Sequence, residues 1–188
     1  MTSHHADESA ETVASEGWLT GIAVRPARRA PMVEFDRADV TLDTGVYGDH
    51  GAREAPVGAG FMAELMVARA PERAVTLLAM EAWQEALAAI PGCNDLPWTV
   101  RRANLLTKGL DLKLARESVI TIGPVMLEVT RPTFPCKRMD EACPGLLKAL
   151  AQDFRGGITC RVLEAGPVRK GDRVNVLHRV PLKRRRLP

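Results

Sequence analysis

Four cysteines, Cys93, Cys136, Cys143 and Cys160, are the residues of this 188-residue chain best suited to covalent or metal chemistry. A thiolate is both a nucleophile and a soft metal ligand, so the setting of each thiol decides its use. No two stand in C-x-x-C spacing, which leaves a zinc site or a thioredoxin-type dithiol poorly supported. Cys160 alternates in phase with Ile158 and Val162 and reads as a small core residue. Cys93 follows Gly92 at a helix end with no evident partner. Cys143 precedes Pro144, where a packing role is expected. Cys136 differs. It sits in a loop just after a strand, between Pro135 and Lys137, with Arg131 and Arg138 close by. Cations favour the thiolate, and two prolines restrict the loop, which suits a pre-positioned group.

Arginines form the second group. Arg25, Arg28, Arg29, Arg101 and Arg102 fall in segments rich in Pro, Gly or Asn, and Asp49, His50 and Arg53 share a glycine-rich stretch. Guanidinium groups in loops suit an anionic ligand such as a phosphate. A set of solvated surface arginines is the ordinary alternative. The chain has no G-x-S-x-G, no P-loop and no G-x-G-x-x-G between a strand and a helix. His4 and His5 lie near the N-terminus and His178 near the other end, which argues against a histidine metal site.

These candidates need elements to hold them. Trp18 to Val24 reads as a strand, followed by a basic loop to Pro31 and a further short strand within Met32–Leu42. Gly45 to Gly51 can adopt positive φ, and an irregular loop continues to Gly60. Arg73–Leu77 looks like a strand. Met80, Trp83, Leu87 and Ile90 recur at helical spacing, a core stripe ended by Pro91-Gly92. Pro97 to Asp111 reads as irregular. From Val119 to Thr130, Ile120 and Ile122, then Val125, Leu127 and Val129, alternate around Gly123-Pro124, as in a hairpin. Pro144 to Phe154 is expected to be a helix ended by Arg155-Gly-Gly157. Ile158, Cys160 and Val162 mark another strand, Gly166 to Asp172 a turn, and Val174 with Val176 a last strand. Short strands, few helices and long loops indicate an α+β, predominantly β barrel.

Bulk properties narrow the classes. Hydrophobic residues make up 46% of the chain and charged residues 26%, the balance of a globular domain. Aromatics are only 4%, too few for a base-stacking surface. Net charge is +3, with the excess gathered after Asp172 in Arg173, Arg179, Lys183, Arg184, Arg185 and Arg186. A solvated basic tail over 179–188 is expected rather than a nucleic-acid arm. Residues 1–16 read as a disordered leader without the features of a secretory signal, and no apolar run is long enough to span a membrane. A cytoplasmic protein with reduced thiols is expected.

The ordered pieces resemble a MOSC domain, the module named after the molybdenum cofactor sulfurase C-terminus. In chain order they are Gly48-Asp49-His50; Arg102-Ala-Asn104-Leu-Leu-Thr-Lys-Gly109-Leu-Asp-Leu112; Ile122 to Thr130; Pro135-Cys136; Arg155-Gly-Gly157; and Gly171-Asp172-Arg-Val174. The resemblance covers most of 20–177 and implies a MOSC-type β-barrel with a few flanking helices over 17–178. It implies that Cys136 carries a persulfide or ligates molybdenum, and that the chain binds the molybdenum cofactor. Arg25, Arg28, Asp49, Arg101, Arg102, Asn104, Arg131 and Arg155 are the cofactor contacts it suggests. Family-level association extends to pyridoxal phosphate. Molybdenum-bearing relatives reduce N-hydroxylated compounds, so the expected partner is a separate electron-donor protein, or a sulfur donor if Cys136 is a carrier. Ala103 stands where the family has Glu, the glycine loop lacks the His-Gly-Gly form, and Ala52–Glu72 has no match.

Overall fold

The computed structural model describes residues 15–50, 72–180 and 182. The expected leader, the Ala52–Glu72 segment and the basic tail therefore lie almost wholly outside the described residues. Glu16 is an exception: it belongs to the first strand, not to a leader.

Seven strands close into a barrel. In order around it they are β11 (Arg173–His178), β7 (Val119–Ile122), β8 (Val125–Pro132), β9 (Ile158–Glu164), β5 (Val75–Ala79), β6 (Leu105–Lys108) and β1 (Glu16–Val24), with β1 returning to β11. The long β1 makes closure possible by serving three neighbours: Glu16–Trp18 pair with β11, Trp18–Ile22 with β6, and Ile22–Val24 with the edge strand β2 (Val33–Phe35). Closure removes the open edges that a flat sheet would leave. A separate small sheet of β10 (Gly166–Arg169), β3 (Arg37–Thr41) and β4 (Gly45–Val46) packs on the barrel core through Val40, Val46 and Val168.

The hairpin expected between Val119 and Thr130 is β7–β8, paired from Ile122↔Val125 outwards. Two expectations need correction. Pro97–Asp111 is not irregular throughout: it holds a 3₁₀ turn, Trp98–Arg101, and then β6. Likewise the start of the expected Gly166–Asp172 turn is β10, whose Val168 is fully buried.

Strand β6 runs parallel to β5, a connection that requires a crossover. Helix α1 (Met80–Ala88) supplies it, with Trp83 and Leu87 buried as its stripe indicated. Two cores result. Leu77 and Leu105 join the barrel interior with Leu19, Ile120, Leu127 and Cys160. Their neighbours Leu78 and Leu106 face the other way, into a second core with Trp83, Leu87, Met139, Cys143, Leu146 and Leu150. That outer core is built by α1, α2 (Arg138–Ala142) and α3 (Leu146–Leu150). The helix expected from Pro144 to Phe154 is thus shorter: Gly145 sits at φ +94° before it, and Asp153 and Phe154 adopt positive φ beyond it.

Candidate functional site

Cys136 is exposed, in the turn between β8 and α2. The amide of Met139 donates to its carbonyl at 2.9 Å, so the loop runs directly into α2 and the Cys136 backbone is held at that junction. Cys160, by contrast, is fully buried in the barrel, and burial pushes its thiol far up. Cys93 and Cys143 are not separate reduced thiols as expected: they form a disulfide between Cα atoms 6.2 Å apart, within the ordinary span of that bond. Their sequence separation of 50 residues hid the pairing.

The arginines around Cys136 arrive from several elements. Arg101 ends the 3₁₀ turn and is only 6% exposed. Its Nη2 donates to the Thr133 carbonyl at 3.3 Å, one turn of chain before the thiol. Burial pushes its guanidinium down to about 10; the charge of Cys136 acts against that, and Arg73 adds to it. Arg102 follows in the left-handed region at φ +63°, a conformation that non-glycine residues hold only when their surroundings enforce it. Burial lowers its guanidinium, and the like charges of Arg25 and Arg138 lower it further. Cys136 and Asp49 pull the other way. Five guanidiniums and one exposed thiol therefore share a single field.

The glycine loop is tied into this cluster at the end of β1. Asp49 Oδ1 accepts from the Arg25 amide at 2.8 Å, and the His50 amide donates to the Arg25 carbonyl at 2.7 Å. Beside the loop lies a cavity of about 710 Å3 walled by Thr41, Asp43, Thr44, Tyr47, Asp49 and His50. Asn104 braces the opposite side. Its Oδ1 accepts from the Thr76 amide at 3.1 Å and its Nδ2 donates to the Ala23 carbonyl at 3.5 Å, so its amide is taken up by backbone.

Gly156 lets this packing occur, because a Cβ there would stand 2.2 Å from the Thr133 carbonyl oxygen and 3.3 Å from Arg101 Nη2.

Other expected contacts stand apart. Arg28 is exposed in the basic loop, and Arg131 is exposed at the end of β8. Arg155 pairs with Glu85 at 3.4 Å on the rim of a different cavity, of about 400 Å3. Arg53 lies outside the described residues. Thr133 and Arg73, in turn, join the cluster without having been singled out by sequence. Thr133 carried a signal in its place within the Pro-Cys loop, whereas Arg73 looked like the start of a strand.

Five buried polar atoms among the described residues have no hydrogen-bond partner; Arg155 Nε and Arg161 Nε stand near the carboxylates of Glu85 and Glu128, while Arg101 Nε, Arg102 Nη2 and Thr133 Oγ1 belong to this cluster. Buried donors are ordinarily satisfied, so these fit a ligand that brings acceptor oxygens to the thiol. No described group of three or more His, Cys, Asp or Glu could hold a metal by itself.

A closed barrel of seven strands with an exposed thiol at a strand–helix junction, electrostatically coupled to Arg101 and Arg102, is a recognisable class of domain. The chain belongs to the MOSC domain family, whose sequence pattern matches residues 64–175. The match is shorter than the resemblance implied: it leaves out Arg25, Arg28 and Asp49, yet takes in residues 64–72, which had seemed unrelated. No curated protein matches the chain. Among solved structures it is similar in fold to the YuaD protein from Bacillus subtilis, with 21% identity, a TM-score of 0.69, and coverage of 88% of this chain and 97% of that one. It is also similar to YiiM from Escherichia coli, at 15% identity and TM-score 0.62, over 88% of this chain and 72% of that one.

Proposed function

We propose that the protein binds the molybdenum cofactor at Cys136 and reduces N-hydroxylated compounds in the cytoplasm, drawing electrons from a separate donor protein. The observation that carries this reading is the trio of orphaned donors, Arg101 Nε, Arg102 Nη2 and Thr133 Oγ1, beside an exposed thiol. The trio fits a phosphate-bearing cofactor: charge-assisted hydrogen bonds from guanidinium to phosphate are among the strongest available. A thiolate fits the metal, since soft ligands suit such centres. When bound, the cofactor supplies a two-electron centre able to accept oxygen from the substrate.

The rest is the work of this chain. Cys136 holds the metal from a loop locked to α2. Arg101 and Arg102 neutralise the phosphate in a partly dry setting, where ionic hydrogen bonds gain strength. Arg25 and Arg138 add attraction for an anion at longer range. The cavity beside the glycine loop is within the size range of small-molecule sites and meets the arginine cluster through Asp49, which accepts from the Arg25 amide.

The test is molybdenum content of protein purified from a host that makes the cofactor, wild type beside Cys136→Ser. Near-stoichiometric metal in wild type and none in the variant is expected. Folded wild type without molybdenum, or equal metal in both, would overturn the reading.

The exposure of Cys136 also favours a second reading, a sulfur carrier that passes a persulfide to a partner. Intact-mass measurement would then show a labile extra sulfur that disappears with Cys136→Ser.

A further inference from the structure

We infer that Cys93 and Cys143 form a reversible redox site whose state sets how firmly Cys136 is held against Arg101 and Arg102. The two sulfurs join the two segments that carry the candidate site. Cys143 directly follows α2, which begins just after Cys136, and its amide donates to the Met139 carbonyl at 2.9 Å. One short hydrogen-bonded run therefore leads from the working thiol to the bridge.

Cys93 lies on the other segment, between α1 and the 3₁₀ turn of Arg101. Its carbonyl accepts from the Leu96 amide at 3.4 Å, and the Leu96 carbonyl accepts from Trp83 Nε1 at 3.2 Å. The Val100 amide then donates to Pro97 at 3.0 Å and the Arg102 amide to Thr99 at 3.0 Å. The bridge thus ties the arginine-bearing turn to the cysteine-bearing helix. Between these segments, Arg101 also donates to the Thr133 carbonyl at 3.3 Å, and Leu96, Trp98 and Val100 pack against the outer core that holds Met139 and Cys143, so the bridge adds a covalent tie to a packed contact.

Both oxidation states are accommodated. Cys143 is 2% exposed, and as a thiol it has an acceptor in the Pro144 carbonyl at 3.8 Å. Cys93 is partly exposed at the edge of the outer core. Opening therefore begins at Cys93. A small-molecule thiolate attacks its sulfur, the bond between the two protein sulfurs breaks, and Cys143 leaves as the thiolate and takes up a proton. A second small-molecule thiol resolves the mixed disulfide. Two electrons and two protons pass to the protein, and the small-molecule disulfide departs. Closure is the reverse, with a small-molecule disulfide as oxidant.

The inference rests on Cys136 as the working thiol, but its test needs no cofactor. Molybdenum-free wild type would sink the proposed function and leave this measurement standing. Purified protein is treated with dithiothreitol, or with one equivalent of diamide, which takes two electrons and two protons from a thiol pair and leaves no adduct. Alkylated peptides then report which cysteines are free, and Cys136 is timed with anionic iodoacetate and with neutral iodoacetamide. The ratio of the two rates reads how closely the guanidiniums stand over the thiol.

Bridged wild type should leave Cys93 and Cys143 unlabelled, and its ratio should exceed that of the reduced protein by about threefold or more, the expected effect of drawing a unit charge closer in a partly screened site. Cys93→Ser should give the reduced ratio after either treatment, with circular dichroism confirming its fold. Failure of the bridge to form with diamide would overturn the proposal. So would the same ratio in both states of wild type, or a treatment-dependent ratio in folded Cys93→Ser.

Discussion

At the scale of the residue, Arg101 carries most of the physical argument. A guanidinium 6% exposed, with one carbonyl acceptor and an orphaned Nε, is disfavoured as a cation in the folded state. Its folded value of about 10 lies below the ordinary guanidinium value. The sign follows directly: the folded protein holds this proton less tightly than the unfolded chain, so the penalty is present throughout the range below about pH 10 and fades above it. An anion bound at the site removes the same penalty at neutral pH. Arg101→Met keeps most of the packing and deletes the charge, so its melting temperature at pH 7 should equal or exceed that of wild type. Inorganic phosphate should stabilise wild type, by about 1.4 kcal/mol at tenfold excess over its dissociation constant, and should leave Arg101→Met unmoved. Calorimetry with and without phosphate checks this; equal stabilisation of both proteins would remove Arg101 from the anion site.

At the scale of the element, Asn104 does for three strands what a regular ladder does for two. Its backbone amide donates to the Thr76 carbonyl at 3.0 Å, its carbonyl accepts from the Ala23 amide at 2.7 Å, and its side chain meets the same two residues again. Replacing it with Leu leaves the Thr76 amide and the Ala23 carbonyl each short of a side-chain partner beside the arginine turn. Each unsatisfied group costs about 1–3 kcal/mol, so Asn104→Leu should lower the melting temperature by about 4 °C or more for a chain of this size, while Asn104→Gln tests whether reach matters. A thermal shift assay decides it; an unchanged midpoint would mean that the brace is dispensable. The same region shows what sequence can reveal. Hairpin β7–β8 was legible because one face is buried and the other wet, and Gly123-Pro124 marks its turn. Strand β6 was not, because Leu105 and Leu106 are buried on opposite faces and alternation vanishes. Strand β10 was concealed by Gly166 and Pro167, which look like turn chemistry when no partner strand is in view. At the site, Cys136 and Arg101 were legible from local composition, whereas Thr133 and Arg73 join only through folding, and Cys93 with Cys143 only through the packing of α1 against α3.

At the scale of the whole molecule, two cores share one wall. The barrel interior is enclosed by strands that close on themselves, whereas the outer core is a layer of three short helices against β5 and β6. Helices of five residues have little stability of their own. They hold through Trp83, Leu87, Met139, Leu146 and Leu150, and through the Cys93–Cys143 bridge. A crosslink spanning 50 residues limits the unfolded chain by about 4 kcal/mol in the chain-entropy description. The bridge sits in the outer layer, but the loop it closes also contains β6, β7 and β8, so it bears both on partial opening of the layer and on global unfolding. Native-state hydrogen exchange should therefore separate the two. Amides of β7, β8 and β11 should exchange at one slow rate set by global unfolding, and those of α1, α2 and α3 faster. On reduction of the bridge, the barrel amides should lose protection by up to about a thousandfold, as global stability falls by about 4 kcal/mol, while the helices, which open locally, should lose at least tenfold and by a different factor. Equal loss of protection in both regions would show that the layer and the barrel unfold as one unit, and that the site carried by the layer has no freedom of its own.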